Sequence, residues 1–400
     1  MKYISIYIIS VLLCACQSAG NNNENKLPEN VKQISDEVRL LYVPDKRVAV
    51  FDIDYKLIGK QLTIKGETTS APAAQKLINK LSDAGYEIID SIRFLPDTNK
   101  LDDKIYGIVN LSVCNLHAEP DFASEMQTQA IMGMPVKVLD YGTWYRIQTP
   151  DDYIAWVHRT GIVPVNREEY NSWLTAEKVI VTAHYGFAYE SPDPHSLPVS
   201  DVVAGNRFKV EGREKGYYKI IYPDRRKAWL HESFAKPVKE WRATVKQDAA
   251  SVLNTAFTLT GVPYLWAGTS SKGMDCSGLV RNVLFMHDII IPRDASQQAY
   301  VGTRIEINDD FGNLLPGDLI FFGRKAINGN KERIVHVAIY IGNKRFIHAQ
   351  GDVRTGSFNE DDEDFDEFNL NRLLFATRIL DKIGTAGIST TETNPYYLPQ

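Results

Sequence analysis

The sequence predicts a multidomain chain: two small β-barrels set between a small α+β unit and a larger α+β domain at the C-terminal end. Three observations lead there. At about 100–200 residues per domain, the 400-residue chain is long enough for two to four domains. An internal repeat is visible: Pro120 and Pro192 stand 192 − 120 = 72 residues apart, and Trp156 and Trp229 stand 229 − 156 = 73 apart. Tyr145-Arg146-Ile147 returns as Tyr218-Lys219-Ile220 at the same 73. In the C-terminal third, a turn-rich stretch hands over to a helix and then to a pair of strands.

Taken in order, residues 1–16 read as a targeting segment. Lys2 is the charged start, Tyr3–Leu13 is the apolar core, and Leu13-Cys14-Ala15-Cys16 is the processing site. A small residue directly before Cys16, with a leucine two positions further back, resembles a bacterial lipobox, which implies lipidation at Cys16. Cys14 follows the bulky Leu13 and is the poorer candidate, and a plain secretory signal is the alternative. Two or more acyl chains would hold the protein on a membrane surface. The expectation is a lipid-anchored, exported protein of a bacterial cell envelope. Residues 17–30, rich in Asn, read as a tether. Of the four cysteines, only Cys114 and Cys276 would then remain as thiols, without a disulfide framework.

Residues 31–109 are expected to form the small α+β unit, with strands over 48–54, 61–66 and 86–95 around a helix over 73–85 that Gly85 ends. No site chemistry is visible there. Residues 110–165 and 166–237 are the two repeat units, each with short strands, a Gly turn and a late Trp-Val or Trp-Leu pair, the pattern of a small β-barrel. Residues 238–381 form the last domain, opening with a helix over 241–260 whose Asp248 lies on the solvent face. The acidic run 360–367 lacks the glycine-punctuated alternation of a calcium loop and reads as a solvated insertion. Residues 382–400 read as a polar tail. The balance of 45 basic and 50 acidic residues offers no basic face for nucleic acid.

The chemistry centres on Cys276. Turn residues precede it, and Leu279, Val280, Val283 and Leu284 follow at helical spacing, so the thiol sits where a loop becomes a helix. Unpaired N–H groups there stabilise a thiolate and face an oxyanion, so the spacing predicts a lowered thiol pKa. Downstream, 335–342 and 346–349 are expected to be strands joined by a short turn, which places His336 and His348 on one face. One imidazole would take the thiol's proton while the other orients it. Taken alone, these residues fit equally a buried small hydrophobe and two ordinary strand histidines.

Five segments, in order, surround them: Gly-Val-Pro-Tyr-Leu-Trp-Ala-Gly (261–268), Asp-Cys-Ser-Gly-Leu-Val (275–280), Pro-Arg-Asp-Ala-Ser-Gln-Gln (292–298), Leu-Pro-Gly-Asp-Leu-Ile-Phe-Phe (315–322) and His-Val-Ala-Ile-Tyr-Ile-Gly (336–342). Together they resemble the NlpC-type cell-wall cysteine peptidases, over roughly residues 240–381. The resemblance implies a papain-like α+β catalytic domain with Cys276 as nucleophile, His336 as base and His348 as third member, and needs no metal or cofactor. The two repeats resemble bacterial Src-homology-3-like barrels, which often accompany wall peptidases. In the subfamily with that pairing, the resemblance implies γ-D-glutamyl-L-diamino acid endopeptidases of peptidoglycan recycling. The matching substrate-amine positions are Glu119, Tyr153 and Asp294, while Tyr264, Asp275 and Ser277 match the pocket wall and nucleophile flanks. Ala295 departs from the pattern, a serine being common after the aspartate. The expected partners are peptidoglycan-derived peptides bearing a free N-terminal L-Ala, and the membrane through the lipid anchor. The alternatives are a broader endopeptidase on intact wall stems and a non-catalytic wall-binding lipoprotein.

Overall fold

The computed structural model describes residues 27–326 and 332–400, so the expected signal segment and Cys16 lie outside the described residues. The first unit runs α1 (Glu29–Tyr42), β1 (Phe51–Ile58), β2 (Gln61–Thr68), α2 (Ala71–Asp83) and β3 (Glu87–Phe94). Ser70 starts α2 by accepting a hydrogen bond from the Ala73 N–H, and a proline in the first turn leaves no donor wasted. β2 pairs antiparallel with β1 and parallel with β3, so α2 is the crossover between β2 and β3. Val31, Val38, Leu62, Ile64, Leu77 and Leu81 are its buried core. A single turn, α3 (Thr98–Leu101), leads out of the unit behind its Asp97 cap.

Two seven-stranded antiparallel sheets follow. The first comprises β4 (Tyr106–Val109), β5 (Val113–His117), β6 (Met126–Ile131), β7 (Pro135–Tyr141), β8 (Trp144–Gln148), β9 (Ile154–His158) and β10 (Ile162–Val165). Because β4 pairs with β7 and β10, this unit begins before the expected boundary at 110. Helix α4 (Arg167–Thr175) follows, with an Asn166 and Glu169 capping box. The second sheet comprises β11 (Lys178–Val181), β12 (Tyr185–Tyr189), β13 (Pro198–Val203), β14 (Arg207–Glu214), β15 (Tyr217–Ile221), β16 (Lys227–His231) and β17 (Ala235–Pro237). The strand orders, β10-β4-β7-β8-β9-β5-β6 and β17-β11-β14-β15-β16-β12-β13, match strand for strand. The register repeats as well: Arg146 faces Trp156 and Lys219 faces Trp229, each cation lying about over the indole ring, at 5.7 and 6.0 Å.

The sheets are open ladders rather than the closed barrels expected. The edge strand β6 is covered by the last domain instead of a sister strand: Thr269 N donates to Gln129 Oε1 at 2.9 Å, and Thr269 Oγ1 to Gln129 O at 3.3 Å.

The last domain opens with two helices, α5 (Val238–Thr244) and α6 (Ala249–Thr258), where one was expected. The break has a local cause. Asp248 is extended and its carboxylate accepts from Ser251 N at 2.8 Å, so it caps a new helix rather than sitting on the face of a longer one. Phe257, on the apolar side of the helix that the sequence predicts over 241–260, is 42% exposed. A two-stranded ribbon, β18 (Thr269–Ser270) and β19 (Gly273–Met274), precedes α7 (Cys276–Phe285) and the short α8 (Ala295–Gln298). The six-stranded sheet contains β20 (Thr303–Ile305), β21 (Leu319–Arg324), β22 (Arg333–Gly342), β23 (Arg345–Gln350), β24 (Asp352–Ser357) and, after α9 (Glu367–Leu370), β25 (Leu373–Arg378). Its order is β20-β25-β21-β22-β23-β24, antiparallel throughout. α7 buries Leu279, Val280 and Val283 in one core with Val337 and Ile339 of β22 and Ile347 of β23. That packing brings the start of α7 up to the histidine strands.

Two segments behave differently from expectation. The acidic run is solvated in part and fastened in part: Glu360, Asp361, Glu363 and Glu367 are exposed, while Arg345 pairs with Asp362 and Asp364 at 3.0 and 2.6 Å and Asp366 caps α9. The C-terminal residues form a strap across the domains instead of a tail. Ile388 and Tyr396 are buried, Asn394 Nδ2 donates to Pro150 O at 2.8 Å, and Tyr170 OH donates to Tyr396 O at 2.7 Å. Burying Ile388 alone contributes about 1.5–3 kcal/mol. A chain ending at Thr385 should therefore lose at least that much stability in urea denaturation, whereas an unchanged midpoint would mark the segment as a dispensable tail.

Candidate functional site

The site is built on the start of α7. Asp275 is its N-cap, with Oδ1 accepting from Gly278 N at 2.7 Å and Oδ2 from Ala267 N at 3.0 Å. Gly278 is required here because a Cβ would meet Gly268 O at 1.9 Å. The loop before Cys276 is thus fixed against the first turn of the helix.

A buried cation locks this arrangement. The Arg293 guanidinium donates to both oxygens of Asp275 (Nη2 at 2.7 Å, Nη1 at 3.2 Å), to Ser277 Oγ at 2.8 Å, and through Nε to Thr128 Oγ1 of β6 at 2.9 Å. Its side chain is 1% exposed. Arg293 therefore ties the residues on both sides of Cys276 to the first sheet. The motif containing it was legible in the sequence, but its pairing was not.

The sulfur of Cys276 lies beneath the backbone N–H groups of Ser277 and Val337, the latter adjoining His336. His336 Nε2 and His348 Nδ1 are 3.0 Å apart, both rings buried. This bond uses Nε2 and leaves His336 Nδ1 as the nitrogen able to take a proton. The productive tautomer has His336 Nε2–H donating to His348 Nδ1. The half-buried Tyr264 adjoins the thiol: burial first, then the charges of Cys276 and Asp275, push its hydroxyl pKa up.

Burial governs the ionisation here. It pushes the Cys276 thiol up to about 12, and the Asp275 charge adds to that; the two backbone N–H groups and Arg293 oppose them without prevailing. Burial, then His348 and Arg372, hold His336 well below the usual imidazole range, and burial holds His348 at about 4. The helix start thus fails to lower the thiol pKa as the sequence suggested, because dehydration of the charge outweighs it. Both shifts favour the uncharged thiol and the uncharged imidazole.

The remaining expected residues divide. Tyr153, buried between β8 and β9, places its hydroxyl 3.1 Å from Gln127 Oε1 and 3.4 Å from Asp294 Oδ2. Tyr141 and Tyr145 instead stack on each other at 5.6 Å. Glu119 is exposed on the loop between β5 and β6, and among the described residues its carboxylate has no hydrogen bond or ion pair. Glu125 of the same loop accepts from Trp266 Nε1 at 3.0 Å. The first unit, where the sequence showed no site chemistry, reaches in: Arg47 Nη1 donates to Asp294 Oδ2 at 2.7 Å and to Ser296 Oγ at 2.9 Å.

The raised thiol pKa has a measurable sign. Alkylation of Cys276 by iodoacetamide, corrected with Cys276→Ala for the buried Cys114, should keep rising with pH above about 8.5, the value of a free thiol. A midpoint at or below neutral would contradict the uncharged thiol.

Comparison with known proteins places this geometry. The NlpC/P60 family profile matches residues 261–363, and the profile described as "Bacterial dipeptidyl-peptidase Sh3 domain" matches residues 116–162. A γ-D-glutamyl-L-lysine dipeptidyl-peptidase of Bacillus cereus is 30% identical over 244 residues, 57% of this chain and 68% of the relative. Dipeptidyl-peptidase 6 of Lysinibacillus sphaericus is 26% identical over 64% of this chain and 92% of its own length. A crystal structure of an NlpC/P60 family protein from Bacillus cereus superposes with a TM-score of 0.58 at 23% identity, covering 69% of this chain and 99% of that one, which shows the shared fold. A buried thiol at a helix start, packed in one core with the antiparallel strands that carry two hydrogen-bonded histidines and lying beside Src-homology-3-like strands, is thus accounted for: the chain belongs to the NlpC/P60 family and is a cell-wall cysteine peptidase.

Proposed function

We propose that the protein hydrolyses the amide between the D-Glu side chain and the following diamino acid in murein peptides that carry a free N-terminal L-Ala. The observation that carries the reading is a chain of contacts from the Cys276 helix to the first sheet: Arg293 holds Asp275 beside Cys276, and the next residue, Asp294, stands 3.4 Å from the Tyr153 hydroxyl. The names of the relatives, dipeptidyl-peptidases acting at γ-D-glutamyl-L-lysine, support it.

In this reading the thiol and imidazole start neutral, so the proton moves as the bond forms. His336 Nδ1 takes the Cys276 proton while sulfur attacks the D-Glu side-chain carbonyl carbon, and the carbonyl electrons move onto oxygen. Backbone N–H groups at the start of α7 stabilise that oxyanion. The oxyanion collapses, the C–N bond breaks, and the imidazolium gives its proton to the departing amine. Water, deprotonated by His336, then attacks the thioester and returns the thiol. His348 accepts from His336 Nε2–H throughout and keeps Nδ1 aimed at the sulfur. The substrate's L-Ala ammonium is held by Asp294 and the Tyr153 hydroxyl, with Glu119 a second carboxylate from the same sheet.

The proposal extends to location: lipidation at Cys16 would hold the enzyme on the membrane of the envelope. Intact-mass measurement of the mature N-terminal peptide checks it, an unlipidated N-terminus being the contrary result.

The substrate reading is tested with L-Ala-γ-D-Glu-diaminopimelate and its N-acetyl form. Acetylation removes the charge and adds bulk, so kcat/KM for the blocked peptide should be lower by about a hundredfold or more. Glu119→Ala should weaken cleavage of the free peptide more than that of the blocked one. Equal values for both peptides on the parent enzyme would support the broader endopeptidase on intact stems instead.

A further inference from the structure

The N-terminal unit touches the site at one side chain. Arg47 lies in the connection between α1 and β1, and its backbone is pinned beside Tyr153: Ile154 N donates to Arg47 O at 2.7 Å, and Gln148 Nε2 to Val48 O at 2.8 Å. The guanidinium is shared between two carboxylates. Nε and Nη2 form a fork on Asp45, at 2.8 Å to Oδ1 and 2.7 Å to Oδ2, while Nη1 is directed at Asp294 Oδ2 and Ser296 Oγ. Gln297 Nε2 donates to Asp45 Oδ2 at 2.9 Å, so the fork is held from the catalytic domain as well.

Charge counting shows what the cluster lacks. The neighbouring Arg293 is committed to Asp275, and its Nη1 is 3.9 Å from Asp294 Oδ1. Asp45 and Asp294 therefore divide one cation between them, leaving one negative charge. Arg47 engages Oδ2 of Asp294, as does the more distant Tyr153 hydroxyl. Its fork on Asp45 is planar and two-pointed, and that rigidity lets it set the orientation of a third group.

We propose that Arg47, held by Asp45, is a specificity-determining positioning residue that fixes Asp294 for the substrate's ammonium, so that the N-terminal unit completes the amine subsite. The inference rests on the free-amine reading above and adds to it a role for residues outside the barrels and the catalytic domain. With Asp294 fixed, the ammonium neutralises the charge that Arg47 leaves over. Without Arg47, Asp294 keeps only its longer contacts to the Tyr153 hydroxyl and Arg293, and recognition of the amine weakens while the thiol and histidines stay in place.

The experiment measures kcat and KM separately for L-Ala-γ-D-Glu-diaminopimelate and its N-acetyl form on the full chain. The proteins are the parent, Arg47→Ala, Arg47→Lys and Arg93→Ala. Arg93 joins the same unit to the first sheet through Asp140 at 2.8 Å, away from Asp294, and so controls for loosened docking. Arg47→Ala should raise KM for the free peptide by about tenfold or more, the loss of an aligned charge-assisted contact, with a smaller change in kcat. The preference for free over blocked peptide should fall accordingly. Arg47→Lys should recover part of it, and Arg93→Ala should leave the preference intact. If the parent discriminates between the peptides and Arg47→Ala discriminates as well, or if Arg47→Ala loses both activities equally, the role of Arg47 is overturned and the free-amine reading stands. If the parent itself does not discriminate, the reading and this inference fall together.

Discussion

The structure depends on one buried ion pair, Arg293 with Asp275. Asp275 caps the helix that begins with Cys276, and Arg293 spans Asp275, Ser277 and Thr128. Breaking such a pair by removing one partner costs about 3–5 kcal/mol, because the other charge is left buried alone. The pair is therefore a weak device for stability compared with an apolar core, but a strong one for geometry. It lets a strand of the first sheet decide where the nucleophile's helix starts.

The same burial sets the chemistry. A solvated helix start with a nearby histidine would favour a thiolate–imidazolium pair, but here the thiol is pushed up and both imidazoles down. The cost of charging the dry site exceeds what two N–H groups and one paired arginine return. The neighbouring cluster of Asp45, Arg47 and Asp294 is only part-buried, with one guanidinium shared between two carboxylates.

Local chemistry was legible in the sequence and long-range pairing was not. The 73-residue spacing announced two equivalent sheets because each strand's alternation and turn residues are written locally. The histidine pair was legible because a short turn between two strands fixes which side chains share a face. Arg47 was invisible, since its partner Asp294 lies 247 residues away and no local pattern marks the contact. The strap at 388–397 was misread because Ile388 stands alone in a polar stretch and the contacts of Asn394 and Tyr396 are to distant residues, Pro150 and Tyr170. The break between α5 and α6 could have been found, since Asp248 follows the polar Lys246-Gln247 and stands directly before Ala249-Ala250, a helix-start signal. The cover that Thr269 lays on the edge strand β6 is likewise a long-range contact, which only the assembled domains reveal.

The central claim is that Arg293 and Asp275 act on catalysis as one unit. The most direct measurement is a double-mutant cycle on kcat/KM for γ-D-Glu-diaminopimelate cleavage with Arg293→Gln, Asp275→Asn and the two combined. Residues acting as a unit are strongly non-additive, so the double variant should be about as impaired as the worse single one. Losses that simply add would show that the two residues support the nucleophile independently, and would contradict the account.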